Sequence, residues 1–373
     1  MRHSRAERGN DPCGQKLPVR QSPGKVPLPP VSPEARTMTQ TLDIAVIGAT
    51  GTVGETLVQI LEERDFPVGN LHLLASSESA GSSVLFRNKN VRVREVDEFD
   101  FSKVKLVFFA AGPAITLSYA ARAHAAGCSL IDLSGALPAD QAPQIVPEAN
   151  PAVLAGLKAP FQVSSPSPSA TSLAVVLAPL LDLIDLQYVN VTANLAVSAQ
   201  GREAVTELAR QTAELLNMRP LEPTFFDRQM AFNLLAQVGT PDAQGHTLLE
   251  KRLVRELRQV LAQPSLKISA TCVQAPVFFG DSFSVTLQSK RAVDLEKVNA
   301  ALEDAPGIEL VEAGDYPTAV GDAVGQDVVY VGRVRSGVDD PAELNLWLTS
   351  DNVRKGAALN AVQVAELLIK DLL

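Results

Sequence analysis

The stretch LDIAVIGATGTVGETLVQILEER, residues 42–64, decides how this fold begins. Its first seven residues are apolar enough for a strand buried on both faces, and ETLVQILEER has the spacing of a helix. Between them lies GATGTVG, the strand, loop and helix order of a phosphate-binding turn, although its spacing is GxxGxxG rather than GxGxxG. We expect Gly48 to make the tight turn, Gly51 to let the backbone approach a diphosphate, and Gly54 to let the helix pack on the strand.

Strands and helices keep alternating beyond this stretch. NLHLLAS, VKLVFFAAG and CSLIDLSG have the apolar pattern of buried parallel strands, and SYAARAHAAG that of a helix ending at glycine. This order predicts a Rossmann-type, doubly wound α/β domain. Later strands with alternating polarity, such as YVNVTANLAVS and FSVTLQSK, stand among longer helices. They predict a second α/β domain, of the α+β type, whose sheet has one covered face.

The domain boundaries follow from these patterns. We predict that residues 41–164 and 350–373 form the Rossmann-type domain, because the last segment is expected to be a helix whose apolar face returns to it. Residues 165–349 then form the second domain. Residues 1–40 hold seven of the 25 prolines, so we predict a disordered tail there, or a segment upstream of a start at Met38.

Charge and composition argue against several classes of protein. The formal net charge of −9 disfavours nucleic-acid binding, and no apolar run is long enough to cross a membrane. Three widely spaced cysteines fit a reducing compartment, so we expect a cytoplasmic protein. The four histidines are scattered and lack the spacing of metal ligands, so no metal site is expected.

Several stretches together resemble the aspartate-β-semialdehyde dehydrogenase family. In order along the chain they are GATGTVG, ASSESAG, VPEAN, AFNLLAQVG, SATCVQAPV, YVGRVR and DNVRKGAALNAVQ. The resemblance implies a Rossmann domain and a thiol mechanism. It also implies that the second domain, residues 165–349, is the substrate and dimerisation domain. In that mechanism a cysteine thiolate attacks the aldehyde, hydride leaves to NADP, and phosphate releases the acyl group.

The resemblance also implies where the family's working residues would stand, and every such position is changed. The nucleophilic cysteine falls on Pro168 and the orienting glutamine on Leu195. The carboxylate-binding arginine falls on Gln274, the histidine acid/base on Asp281, and the phosphate-binding arginine on Pro138. Ser167 is the nearest hydroxyl to the nucleophile position. We therefore expect no intact catalytic set.

A serine nucleophile is the alternative at this position, and it requires a strong base. Asp281 is the candidate base for Ser167, but an aspartate with an ordinary pKa of about 3.9 is a poor proton acceptor unless burial raises that pKa. The favoured interpretation is that Ser165 and Ser167 cap the helix, with Pro168 in its first turn.

Other reactive-looking residues have structural interpretations. Cys128 and Cys272 lie in apolar strands and are expected to be buried structural residues. Arg252 falls where the family uses a lysine near phosphate, so it and Arg258 could bind an anion. A solvated helix face is the favoured interpretation of their charge run.

The cofactor site is altered less than the catalytic site. Glu78 in SSESAG stands where the family binds the 2′-phosphate of NADP with an arginine, so we expect NAD to be favoured over NADP if a dinucleotide binds. The predicted cofactor-binding residues are Gly48, Thr50, Gly51, Thr52, Val53, Gly54, Ser77, Glu78 and Asn360.

The leading hypothesis is a family member that has lost the phosphorylating dehydrogenase reaction and serves as a dinucleotide-binding regulatory or partner subunit. It is expected to form a homodimer or a hetero-oligomer with an active relative. The alternative is an active NAD(P)-dependent oxidoreductase acting on aspartate semialdehyde or another carbonyl compound, which needs only a positioned cofactor and a proton donor. A structural protein with an empty nucleotide loop is the third hypothesis.

Overall fold

The structure is a computed structural model, and it describes residues 41–372. The tail predicted for residues 1–40 lies outside the described residues. The strands are β1 (Leu42–Ile47), β2 (Val68–Ala75), β3 (Ser83–Phe86), β4 (Lys89–Glu95), β5 (Leu106–Phe109), β6 (Ser129–Asp132), β7 (Gln162–Ser164), β8 (Leu186–Leu195), β9 (Lys267–Gln274), β10 (Asp281–Ser289), β11 (Ile308–Leu310), β12 (Val329–Ser336) and β13 (Glu343–Ser350). The α-helices are α1 (Thr52–Glu63), α2 (Pro113–Ala125), α3 (Pro168–Leu177), α4 (Arg202–Leu216), α5 (Leu248–Val260), α6 (Leu295–Asp304) and α7 (Asn360–Leu372).

The first sheet has the strand order β3-β4-β2-β1-β5-β6-β7. All its neighbouring strands are parallel except β3 and β4. One face packs against α1 and α7, and the other against α2. The doubly wound α/β domain expected from the sequence is therefore confirmed. The chain leaves β1 in one direction to β2 and later returns to its other side at β5, so a crevice opens beyond the carboxyl end of β1.

The second sheet has the mixed order β11-β12-β13-β10-β8-β9. Helices α3, α5 and α6 bury one of its faces in a common apolar core. Along β10 the side chains alternate, since Phe283 and Val285 are buried while Ser284 between them is exposed. This alternation matches the single covered face predicted from the sequence.

The C-terminal segment returns to the first sheet, as expected. Val362, Ala365 and Leu368 of α7 lie in the same apolar cluster as β1 and α1. A π-helical turn, Arg354–Leu359, precedes α7, so the regular helix begins later than the sequence pattern suggested. The predicted division of the chain at residues 164 and 350 stays a prediction.

Lys355 in this turn is fully buried. Its Nζ lies 2.5 Å from Oε1 of Glu148, and the amide of Gln363 also donates to that oxygen, at 2.9 Å. Burial alone would raise the pKa of Glu148, but the charge and hydrogen bond of Lys355 bring it below its usual range. The pair fastens the C-terminal segment to the loop that precedes β7.

We predict that Lys355→Met lowers the free energy of unfolding by about 3 kcal/mol or more, because it leaves Glu148 buried and unpaired. Urea unfolding at neutral pH measures the change. The native pair stabilises above the ordinary glutamate pKa, whereas burial raises the pKa of the unpaired carboxyl in the variant. The difference should therefore begin to shrink above pH ~4 and continue to shrink as pH falls further.

Lys297→Met is the matched control, since Lys297 makes an exposed ion pair with Asp294. We expect no measurable shift of its unfolding midpoint. An equally small shift for Lys355→Met would contradict the role given to the buried pair.

Candidate functional site

The loop of residues 48–54 joins β1 to α1, with Gly51 at the N-cap position. Gly48 has φ +85, and a Cβ there would lie 2.5 Å from the carbonyl oxygen of Ala110. A Cβ on Gly54 would lie 2.1 Å from the carbonyl oxygen of Gly48. Both glycines are therefore required by the turn and by helix packing, as expected.

Gly51 differs from these two glycines. Its φ is −79, and a Cβ would lie at an ordinary 3.4 Å from the carbonyl oxygen of Gly48. The fold itself does not require a glycine at this position. The close approach of a ligand to the backbone would account for it, and the N-terminus of α1 offers backbone N–H groups for a diphosphate.

The remaining predicted cofactor residues of this region lie at the same edge of the first sheet. β1 and β2 are parallel, and the Gly48 N–H donates to the Leu74 carbonyl at 2.9 Å. The turn that follows β2 therefore stands beside the loop. Ser77 and Glu78 are exposed in that turn, while Thr50, Thr52 and Val53 are partly exposed. These residues would hold a dinucleotide, with N–H groups at the start of α1 for its diphosphate and a carboxylate to accept a hydrogen bond from a ribose hydroxyl.

Asn360 lies in a different environment from the loop. It is fully buried, and its side-chain nitrogen donates to the Ile145 carbonyl at 3.0 Å and to Ser165 Oγ at 2.8 Å. Of its two polar side-chain atoms, only Oδ1 lacks a partner among residues 41–372. A cofactor contact by Asn360 stays a prediction and would have to use that oxygen.

The start of α3 lies between the two sheets. Ser167 is its N-cap residue and Pro168 its first residue, as expected. Capping by serine side chains is wrong. Ser167 Oγ is buried and has no partner in the part of the chain that the structure describes, and Ser165 Oγ accepts from Asn360. An oxygen from another helix accepts a backbone hydrogen bond at the start of α3. It is Oε2 of Glu256 in α5, which accepts the Ser167 N–H at 2.8 Å.

Glu256 is completely buried and changes the interpretation of the basic residues on α5. Its Oε1 accepts from Arg252 Nε at 2.6 Å and from the Gln144 amide at 3.1 Å. A buried carboxylate requires such compensation, so Arg252 turns inward, and its Nη2 is buried without a partner. Arg258 donates to the Leu266 carbonyl. The predicted fully solvated helix face is therefore wrong for these arginines.

Three of the positions that the resemblance assigns to the family's working residues meet at one edge of the second sheet. Leu195 and Gln274 are register partners at the carboxyl ends of β8 and β9, and Asp281 begins the neighbouring β10. The Gln274 side chain donates to the Leu195 carbonyl at 2.7 Å. Asp281 accepts the Ala196 N–H at 2.9 Å. These polar groups are thus engaged in contacts within the chain.

Pro168, the predicted nucleophile position, is close to the same edge. A Cβ on Gly356 would lie 2.7 Å from Cβ of Pro168, so the proline ring packs on that glycine. One turn further along α3, Ser172 Oγ contacts Ser350 Oγ at 2.7 Å, and Ser350 is the register partner of Asp281. Pro138 is exposed, in the loop that follows β6.

The two cysteines of the described range are poor nucleophiles. Both are buried. Burial raises the pKa of Cys272 to about 12, with the charges of Glu250 and Asp281 adding to the effect, and raises that of Cys128 to about 11. Their expected structural role agrees with this burial.

The pKa of Asp281 is raised, whereas pairing with a cation lowers the pKa of a carboxylate. Its complete burial raises the pKa to about 7, the Ala196 N–H opposes that rise, and the charge of Asp351 adds to it. No hydrogen bond joins Ser167 to this carboxyl within residues 41–372. The geometry therefore does not form the serine and aspartate pair weighed from the sequence.

Two further expectations concern the described residues as a whole. Over residues 41–372 no cluster of three or more histidine, cysteine, aspartate or glutamate side chains has metal-binding geometry. Within the same range no helix is long and apolar enough to cross a membrane.

Two family models match most of the chain. The one described as "Semialdehyde dehydrogenase, NAD binding domain" matches residues 43–157, and the one described as "Semialdehyde dehydrogenase, dimerisation domain" matches residues 177–355. Each model corresponds to one of the two sheets described above.

Similar proteins align over nearly their full length. A USG-1 protein homolog of Azotobacter vinelandii is 63% identical over 89% of this chain and 99% of that protein. Aspartate-semialdehyde dehydrogenase 2 of Vibrio cholerae is 42% identical over 90% of this chain and 99% of that protein. The solved structure of a probable aspartate-semialdehyde dehydrogenase from Pseudomonas aeruginosa matches with a TM-score of 0.88 at 58% identity, covering 90% of this chain and 100% of that one.

We predict that Asp281→Asn stabilises the protein increasingly as pH rises. The folded state holds the Asp281 proton more tightly than the unfolded state, whose aspartate pKa is about 3.9. The wild-type protein therefore loses stability as pH rises from about 4 to about 7, whereas asparagine keeps the acceptor for Ala196 without a charge.

Urea unfolding of both proteins at several pH values tests this prediction. Near pH 4 the two free energies of unfolding should be similar, and near pH 8 the variant should be more stable by on the order of 3 kcal/mol. A difference that does not vary with pH would contradict the raised pKa.

Proposed function

We propose that this chain, which belongs to the aspartate-semialdehyde dehydrogenase family, is a dinucleotide-binding member without the phosphorylating dehydrogenase reaction. The single observation that carries the proposal is Pro168 at the first position of α3, where the family resemblance places the catalytic thiol. A dinucleotide bound to the loop of residues 48–54 would supply hydride chemistry. The chain's own residues would bind and orient it.

The chemistry of the junction supports the loss of activity. The reaction requires a nucleophile that holds the acyl group while hydride departs, and a thiol is a few per cent thiolate at neutral pH. An aliphatic hydroxyl such as that of Ser167 is ionised to only about one part in 10⁹. Glu256 accepts the backbone N–H of Ser167 and makes no hydrogen bond with its Oγ. The two arginines with which the family binds the substrate carboxylate and phosphate are also missing, because Gln274 and Pro138 stand at their positions.

The regulatory or partner role requires an assembly, and we propose a homodimer. The dimerisation-domain model covers the second sheet, and the face of that sheet opposite the helices carries small polar side chains with Trp347 among them. The exposed or partly exposed residues of this face include Asn190, Thr192, Ser284, Thr286 and Asn345. Sedimentation velocity that gives the mass of one chain would contradict a homodimer. A hetero-oligomer with an active relative and a cytoplasmic location stay predictions.

We predict no reduction of NAD or NADP above the blank when the protein is given aspartate semialdehyde and phosphate. A Pro168→Cys variant should gain a thiol that iodoacetamide labels near neutral pH, because the N-terminus of α3 lowers its pKa. It should still not turn over, since Leu195, Gln274 and Asp281 remain. Cys13 is replaced by serine in all samples.

Ser167→Cys is the matched control, because it introduces the same thiol one residue earlier. The parent protein should resist labelling until it is unfolded, since Cys128 and Cys272 are buried. Reduction of NAD or NADP by the wild-type protein under these conditions would contradict the proposal.

A second candidate function rests on the buried carboxyl of Asp281. With a pKa of about 7 it is partly protonated at neutral pH and could donate a proton during direct hydride transfer to a carbonyl compound. Consumption of NADH with an aldehyde or ketone, abolished by Asp281→Asn, would favour this function over the leading one.

Cofactor preference follows from Glu78. We predict that NAD binds at least about tenfold tighter than NADP, about 1.4 kcal/mol, because this carboxylate would repel a 2′-phosphate. Glu78→Arg should reverse the preference, and calorimetric titration measures both affinities. Glu303→Arg on α6 makes the same charge change on an exposed residue and should leave the preference unaltered. Tighter binding of NADP by the wild-type protein would contradict the role of Glu78.

A further inference from the structure

The first residue of α4 reaches the nucleotide loop from the other half of the molecule. Arg202 Nη2 donates to the Thr50 carbonyl at 3.2 Å and lies 3.3 Å from the Glu55 carboxylate. Thr50 belongs to the loop, and Glu55 lies in the first turn of α1. Arg202 is thus a cation held beside the backbone N–H groups that would receive a diphosphate.

The position of Arg202 is fixed by the second sheet. The 3₁₀ turn Val197–Gln200 follows β8 and leads through Gly201, at φ +95, into α4. Val197 and Ser198 donate their N–H groups to the carbonyls of Val277 and Phe278, which lie between β9 and β10. The loop belongs to the first sheet, so a ligand at the start of α1 would lie between backbone from both halves.

Glu55 presents an electrostatic problem for such a ligand. An acidic residue in the first turn stabilises α1 through the helix dipole, but it also repels an anion at the same helix end. Arg202 neutralises Glu55 in the structure described here. The pair is well exposed, at 65% for the arginine and 48% for the glutamate side chain, so it is weak and its partners exchange readily.

We propose that Arg202 is a cofactor-binding residue that moves from Glu55 to the diphosphate when a dinucleotide binds. Its planar guanidinium matches two oxygens of a phosphate group, and a diphosphate carries more charge than one carboxylate. This inference rests on the proposed dinucleotide binding and adds a contact from the second half of the chain. It gives the ligand class as compounds that contain a diphosphate, with NAD and ADP-ribose as examples.

Calorimetric titration of NAD, ADP-ribose and adenosine into four proteins tests the proposal. They are the wild type, Arg202→Gln, Glu55→Gln and the double variant, each checked for an unchanged thermal midpoint. Arg202→Gln should weaken NAD and ADP-ribose binding about tenfold, about 1.4 kcal/mol, and leave adenosine binding unchanged. Glu55→Gln should bind NAD at least as tightly as the wild type.

The double variant separates direct contact from mere neutralisation of Glu55. If Arg202 contacts the diphosphate, the double variant binds NAD about tenfold more weakly than Glu55→Gln does. Equal affinity of these two proteins would overturn the proposal. Arg228→Gln is the matched control, since Arg228 pairs with its neighbour Asp227 and is similarly exposed. It should leave NAD affinity unchanged.

The result for the wild type separates the role of Arg202 from dinucleotide binding itself. Binding of NAD with the same affinity by the wild type and Arg202→Gln would remove only the role of Arg202. If the wild type binds neither NAD nor ADP-ribose, the proposed dinucleotide function fails, and the Arg202 proposal fails with it.

Discussion

The compensation of one buried carboxylate organises the centre of this molecule. Glu256 has no contact with water, so its charge must be satisfied by protein groups, and it draws Arg252, the Gln144 amide and the N–H of Ser167 to one point. These partners come from α5, from the loop before β7 and from the start of α3. The junction between the two sheets is therefore held by a polar network that requires no reactive side chain at position 168.

In this arrangement the contacts that hold the site together do not depend on reactive side chains. Gln274 and Asp281 make hydrogen bonds to the backbone around Leu195, and Pro168 packs on Gly356. Gln274, Asp281 and Pro168 thus have structural contacts in the present fold. The glycines of the nucleotide loop keep the geometry that a phosphate group needs. A fold can retain a binding loop while the groups that perform a reaction are replaced, because different residues carry the two tasks.

Sequence patterns predicted the elements with strong periodicity and missed those defined by contacts. The apolar run of β1, the glycine loop and α1 were predicted, because they depend on local spacing. The hairpin of β3 and β4 was missed, since its turn uses Arg87 and Asn88 at positive φ without a glycine. The inward turn of Arg252 was missed because it depends on the burial of Glu256, of which the only trace in the sequence is their i,i+4 spacing. Arg202 was overlooked because its partners lie some 150 residues earlier in the chain.

The return of α7 to the first sheet has a consequence for biosynthesis. The apolar cluster beneath β1 and α1 is completed by side chains of α7, which is translated long after them. Until those residues leave the ribosome, part of the first core faces water and offers a hydrophobic surface to chaperones or to other nascent chains. Premature termination before α7 would therefore damage the first sheet, whose strands are made before those of the second sheet.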